Sequence, residues 1–352
     1  MPATIVVGGQ YGSEGKGKVV ALTARGFRAP WVVRCGGPNS GHSTSVDGME
    51  RVLRQLPAAA GQSDATLALA AGCVVDEQLL IEEIHACRLP RNRVIVDPRA
   101  ILLDDADCGA EGALISAIGG TGSGNGAALA RRMLRSPGVR LVESSTELRE
   151  HVTVRCVAPE LHDVLDRGGD VVVEGTQGFG LSLLHGAGYP FVTSKDTTAS
   201  AFAAEAGLSP RQIDEIVLVI RTFPIRVGGN SGVLPNEISW ADIQSISGAP
   251  NVEPEYTSVT RKLRRVGRFD IELVKAACRY NQPTCLAIMG LDRLDHRVRN
   301  ARDRSDLADS CVAFMSMLKA ELDVPIRWVG TGFKTNHAMD LHASQRVVRA
   351  HV

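Results

Sequence analysis

Short apolar runs punctuate the chain. "TIVV" (4–7), "WVVR" (31–34), "RVIVD" (93–97), "VVVEG" (171–175), "IVLVIRT" (216–222), "CLAIMG" (285–290) and "IRWVG" (326–330) are rich in β-branched residues. Several are apolar throughout instead of alternating, the pattern of strands buried on both faces. Helical spacing predicts helices between them, over 77–87, 269–279 and 305–321. In the last, Leu307, Cys311, Met315 and Leu318 form the apolar stripe. The alternation predicts an α/β fold, a mostly parallel central sheet with helices on both faces. Glycine-rich loops follow the strand ends, where ligands bind in such sheets. No repeat, linker or low-complexity tract interrupts the pattern. The 352 residues read as a single domain, 1–352, with loop excursions.

Composition narrows the classes. Lys plus Arg and Asp plus Glu both number 39, so the formal charge is zero. That argues against nucleic acid as a partner, which needs a net basic face. No apolar run is long enough to span a bilayer and no signal peptide opens the chain, so a cytoplasmic protein is expected. The eight cysteines form no C-x-x-C pair and no metal spacing, and read as reduced thiols.

The candidate chemistry lies in the glycine-rich loops. "GGQYGSEGKGK" (8–18) follows the first strand. Gly12, Gly17 and Lys18 have phosphate-loop spacing, but Val19 stands where the loop's magnesium-binding Ser or Thr belongs. Its backbone N–H groups, the helix N-terminus, Lys16 and Lys18 make an anion site. "RCGGPNSGHST" (34–44) places Asn39, Ser40, His42 and Ser43 at a strand's end, with His42 a candidate acid or base. "GGTGSGNG" (119–126), followed by Arg131 and Arg132, reads as a second anion nest. "EGTQGFG" (174–180) and "YPFVTSKDTT" (189–198) form a fourth group. "TSVTRKLRRVGR" (257–268) is a basic loop suited to carboxylate or phosphate. "GLDRLD" (290–295) and "VGTGFK" (329–334) both follow strands and are placed to flank a base.

Taken together, and in this order along almost the whole chain, these motifs resemble the adenylosuccinate synthetases. The resemblance implies a sheet related to that of the phosphate-loop nucleoside triphosphatases and a homodimer. It implies a reaction in which a nucleoside triphosphate phosphorylates the 6-oxygen of a purine monophosphate and the amino group of L-aspartate displaces the phosphate. It assigns Gly12, Glu14, Gly15, Lys16, Gly17 and Lys18 to the donor phosphates, with Gly41, Ser43 and Arg264. Gly290, Asp292, Gly330 and Gly332 would hold the donor base. His42 would be the general acid, and Ser13 and the Gly41 carbonyl would meet Mg²⁺. Asn39, Ser40, Thr121, Gln177, Thr193 and Val227 would hold the monophosphate nucleotide, and Arg131 would reach it from the neighbouring subunit. Ser258, Val259, Thr260, Lys262 and Arg264 would clamp aspartate, Lys262 standing where the family has arginine.

Two departures refine the expectation. Ser13 replaces an aspartate that binds magnesium and takes the N1 proton of the purine, and its smaller side chain leaves room for a 2-amino group. Gly290 replaces the lysine of the guanine-reading Lys-x-Asp, although Asp292 is kept. Both features resemble the viral aminodeoxyadenylosuccinate synthetase branch of the family. They imply catalysis on dGMP with ATP or dATP in preference to GTP, in a host cytoplasm and towards 2-aminoadenine DNA. The rival readings are an ordinary synthetase using IMP, aspartate and GTP, and a nucleotide-binding switch module without ligase activity.

Overall fold

A computed structural model describes residues 3–257 and 262–341. Its centre is a ten-stranded sheet. In spatial order the strands are Ala338–Asp340, Ile326–Gly330, Cys285–Met289, Ile213–Arg221, Ala3–Gly8, Val171–Glu174, Trp31–Arg34, Thr66–Leu69, Val94–Val96 and Thr153–Val154. Every pairing is parallel except the last-formed one, Ile326–Gly330 with Ala338–Asp340. The largely apolar runs 3–8, 171–174 and 285–289 are buried along their whole length, as covering on both faces requires.

The chain order creates the crevice. The Ala3–Gly8 strand starts the sheet, and the chain then builds outward on one side through 31–34, 66–69, 94–96 and 153–154. It returns to insert 171–174 beside the first strand, then builds outward on the other side from 213–221. Connections therefore leave the first strand's neighbourhood in opposite directions, and the loops beyond its carboxyl end splay apart. Ligands bind at such a switch point. The loops beginning at Gly9, Cys35, Gly175, Thr222, Gly290 and Thr331 all open at this end.

Three local expectations need correction. Thr66–Leu69 is an interior strand of the sheet that was not anticipated, because only Thr66 in it is β-branched and the run lacks the signature of the others. The polar run around His42 is not simply a loop: His42–Val46 pairs antiparallel with Met49–Leu53. Asp47 (φ 51°) and Gly48 (φ 76°) make the two-residue turn, an Asp-Gly hairpin signal visible in the sequence. The helix expected over 305–321 runs Asp309–Leu322, so Leu307 precedes it. The other two expected helices are Glu77–Ala86 and Ile271–Asn281, each capped by a preceding aspartate, Asp76 and Asp270.

A smaller three-stranded sheet (Ile225–Arg226, Arg265–Gly267, Glu237–Ile238) packs its own apolar cluster of Phe223, Ile225, Ile243, Ala249, Val252 and Val266. It carries the basic loop to the mouth of the crevice.

Candidate functional site

The glycine turn after the first strand is braced from within. Glu14 is 1% exposed. One carboxylate oxygen accepts the N–H groups of Gln10 (3.1 Å) and Gly12 (2.8 Å), and the other meets Lys16 Nζ at 2.6 Å. The Glu14 carboxylate is thus spent on the loop itself, with the Lys16 ammonium held against it. What the turn offers outward is backbone. Gly15 (φ 97°) precedes the helix Lys16–Arg25 and provides no side-chain cap, so the first-turn N–H groups face the crevice. Val19 is fully buried in the core, which explains the missing hydroxyl: that position points away from the ligand side. Gly17 is obligatory for packing, since a Cβ there would fall 2.7 Å from His42 Cβ and 2.9 Å from the Ser43 carbonyl. Lys18 is pulled down to about 8, by burial, against the opposing charges of Asp292 and Glu50. Its ammonium donates to the Gly332 carbonyl at 2.5 Å. The phosphate loop is thereby joined to the turn at Gly330–Gly332, which is itself tied to Gly290, whose N–H donates to the Gly330 carbonyl at 3.1 Å.

His42 begins its strand 6% exposed, wedged beside Gly17. Glu174, at the end of the neighbouring run, holds it: Nδ1–H donates to Oε1 at 2.5 Å. Arg34 is Glu174's register partner across the sheet. Its Nη1 reaches the same oxygen at 2.6 Å, and its Nη2 donates to the Ser40 carbonyl at 2.6 Å. The Ala58 N–H fills the other carboxylate oxygen at 2.7 Å. Burial, then the Arg34 charge, pull His42 down to about 4, against the Glu174 hydrogen bond. Burial pushes the Glu174 carboxyl up, but the His42 and Arg34 contacts outweigh it and hold it below the usual range. His42 is therefore neutral, with its proton on Nδ1 and a lone pair at Nε2. Neither Glu174 nor Arg34 was singled out from sequence. The available signal was a charged residue at the end of each of two otherwise buried runs, where burial demands a partner.

Ser13 stands exposed at the tip of the turn in a left-handed conformation (φ 57°). Arg264 Nη1 donates to its hydroxyl. Arg221, 8% exposed, donates to the Ser13 carbonyl (3.2 Å) and pairs with both Glu255 oxygens at 3.1 and 2.6 Å. Burial pushes the Glu255 carboxyl up, but Arg221, Arg264 and Arg293 outweigh that and bring it to about 2. Glu255 also accepts the Arg264 N–H at its carbonyl, 2.8 Å. Arg221 and Glu255, also unanticipated, fasten the basic loop to the phosphate turn. Lys262 is exposed, its N–H on Thr257 Oγ1 at 2.9 Å. Ser258, Val259 and Thr260 lie outside the described residues.

The remaining candidates, Asn39, Ser40, Thr121, Gln177 and Thr193, are all half-buried. Gln177 (φ 62°) lies against the phosphate turn, 3.7 Å from where a Gly12 Cβ would stand. Thr121 Oγ1 bonds Ser123 Oγ at 2.6 Å, and the Thr193 N–H donates to the Leu181 carbonyl at 2.8 Å. The Val227 carbonyl accepts from Ser231 Oγ at 2.5 Å. Arg131 is held within its own chain by Asp107, Nε and Nη2 each 2.7 Å from a carboxylate oxygen. The expected nest at 119–126 is not open to a ligand, because the Glu111 carboxylate fills it.

A metal would find few protein ligands. Among the described residues no three His, Cys, Asp or Glu side chains gather. Magnesium in phosphate chemistry needs only one or two protein oxygens beside the phosphates. The Gly41 carbonyl, next to His42, fits that need. The Ser13 hydroxyl does not, since it already holds a guanidinium.

The adenylosuccinate synthetase family model matches residues 5–154 and 140–299. The adenylosuccinate synthetase of Methanocaldococcus jannaschii is 37% identical over 347 residues, covering 97% of each chain. That of Thermococcus sibiricus is also 37% identical over 347 residues, 97% of this chain and 99% of its own. Among solved structures, cyanophage S-2L succinoaminodeoxyadenylate synthetase bound to dGMP and dATP as an energy donor superimposes with a TM-score of 0.80. It is 27% identical and covers 96% of this chain and 95% of its own. The fully ligated Plasmodium falciparum adenylosuccinate synthetase shares the fold, with a TM-score of 0.84 at 18% identity over 97% of this chain and 100% of its own.

Proposed function

The chain belongs to the adenylosuccinate synthetase family of C–N ligases, and on that premise we propose that its purine substrate is dGMP. In this reading an adenine triphosphate, ATP or dATP, transfers its γ-phosphoryl group to O6 of dGMP. The amino nitrogen of L-aspartate then bonds to C6, and the C6–O bond breaks to release phosphate. The products are N6-succino-2-amino-2′-deoxyadenylate, the nucleoside diphosphate and phosphate. The enzyme works as a homodimer, in which Arg131 would have to exchange Asp107 of its own chain for the nucleotide to complete the neighbouring site.

Ser13 is the observation that carries the reading. A short neutral side chain at the tip of the turn, between Gln177 and Arg264, leaves space beside N1 for a 2-amino group. It also supplies no carboxylate base. Glu14 cannot substitute, being folded inward on the loop's own N–H groups. The Ser13 hydroxyl, holding an Arg264 N–H, acts as a donor, so the N1 proton passes to an oxygen of the phosphoryl group. The cyanophage relative, bound to dGMP and dATP, supports this reading. The ordinary synthetases at 37% identity keep IMP with GTP as the alternative.

His42 meets the transferring phosphoryl group. A phosphate at Nε2 raises the proton affinity of the imidazole, which takes a proton from water as the substrates bind and donates an Nε2–H hydrogen bond to the transferring phosphoryl oxygens while Glu174 fixes Nδ1. Mg²⁺, when bound, spreads the negative charge of the transferring phosphate. Gly41 would hold it.

The test pairs substrates with one variant. Purified enzyme is given aspartate with dGMP or IMP, and ATP, dATP or GTP, and product masses are read. Ser13→Asp is expected to lower kcat/KM for dGMP at least tenfold more than for IMP, since a misfit of this size is worth about 1–3 kcal/mol. Equal losses on both purines, or IMP as the sole substrate of the natural chain, would refute the reading.

A further inference from the structure

The run 119–126 carries Thr121 and packs against the segments that carry Asn39 and Thr193. Asn125 Nδ2 donates to Ser194 Oγ at 3.1 Å, and Gly126 leaves only 3.1 Å between a would-be Cβ and Ser194 Cβ. Gly37, beside Asn39, has no room for a Cβ against Asn125 Oδ1. The helix Asn125–Met133 begins at Gly124 (φ 71°), which offers no side-chain cap. Such an end, with a glycine turn and free N–H groups, takes phosphate or carboxylate. Here the occupant belongs to the chain. Glu111 Oε2 accepts the Gly124 N–H at 2.8 Å, and Oε1 accepts those of Gly126 at 2.5 Å and Ala127 at 3.3 Å. Four residues earlier, Asp107 grips Arg131 near the other end of the same helix. One short helix, Asp105–Ala110, and the residue after it therefore hold the Asn125–Met133 helix at both ends.

We infer that Glu111 is a positioning residue for the monophosphate side of the site: it sets the 119–126 turn, and through it Thr121. By filling the nest it also leaves the substrate phosphate to side chains instead of the helix N-terminus. The inference rests on the reading that Asn39, Thr121 and Thr193 take the nucleotide monophosphate. Without the carboxylate three donors lose their acceptor. The turn then opens, or draws the phosphate to the wrong place.

Glu111→Ala tests this, with acetate as the group the substitution removes and chloride as the control anion. Amide hydrogen exchange at Gly124, Gly126 and Ala127 is expected to accelerate and to slow again with acetate. Affinity for dGMP and IMP, measured by calorimetry, should fall about tenfold or more for whichever the natural chain binds. Acetate should restore it, and donor and aspartate KM should stay within about twofold. Glu111→Asp should fall between the two. Unchanged exchange overturns the clamp. Accelerated exchange with unchanged monophosphate affinity, or a loss that acetate does not reverse in a folded variant, overturns the positioning role while leaving the proposed reaction intact. A natural chain that binds neither monophosphate overturns both.

Discussion

Glu174→Gln isolates what the buried carboxylate does for His42. Glu174 uses both oxygens: Oε1 serves His42 Nδ1–H and Arg34 Nη1, and Oε2 serves the Ala58 N–H. An amide has one acceptor oxygen. Whichever way it turns, its NH₂ faces a donor, either Ala58 or the His42–Arg34 pair. Leaving a buried donor unsatisfied costs about 1–3 kcal/mol. Arg34, 1% exposed, also loses its counter-charge, and breaking a buried pair costs about 3–5 kcal/mol. The losses overlap, so about 4 kcal/mol is expected, from a total stability on the order of 5–15 kcal/mol. The catalytic effect is separate. His42 loses the group that keeps its proton on Nδ1, and kcat should fall about 10²–10⁴-fold. Donor affinity should persist, because the phosphate turn is braced by Glu14. Single-turnover rates, calorimetric donor titration and urea unfolding measure the three quantities. A variant with natural kcat, or one that loses only donor binding, would refute the assignment of Glu174 to His42.

Gly17→Ala should lower kcat at least about tenfold with an unchanged fold, since its Cβ would press on His42 Cβ and the Ser43 carbonyl; kinetics with circular dichroism decide it. Acid should loosen the basic loop through Glu255. Its folded pKa, about 2, lies below its ordinary value, so its contribution is complete above the ordinary value and is lost as pH falls towards about 2. Its side chain is 29% exposed, so solvent screening reduces that contribution to about 1–2 kcal/mol. Urea midpoints between about pH 5 and pH 3 should therefore fall less for Glu255→Gln than for the natural chain, and parallel curves would dismiss the effect. Donor choice is read from initial rates at saturating dGMP and aspartate. Gly290 offers no stem to stack on guanine, and Phe333, 73% exposed, lies beside Gly332, so ATP or dATP should match or exceed GTP. Turnover with GTP alone would count decisively against an adenine donor.

The strands and their loops were legible because burial on both faces writes a continuous apolar run, and the run must end in a turn. That pattern is local, so 31–34 and 326–330 were read to the residue. It also located the glycine turn and the His42 segment, each directly after a strand. The disposition of charge inside those motifs was not legible. Glu14 and Lys16 look like ligands in sequence, yet they neutralise each other beneath the turn. The glycine run at 119–126 looks like a vacant nest, yet Glu111 fills it. His42 finds its orienting carboxylate 132 residues away, and Arg221 finds Glu255 34 residues on. A buried charge takes whichever partner the fold brings within hydrogen-bond reach, because desolvation makes an unpaired one intolerable. Sequence spacing specifies the charge and the turn; only the packed sheet, by setting Arg34 beside Glu174 and both beside His42, decides the partner.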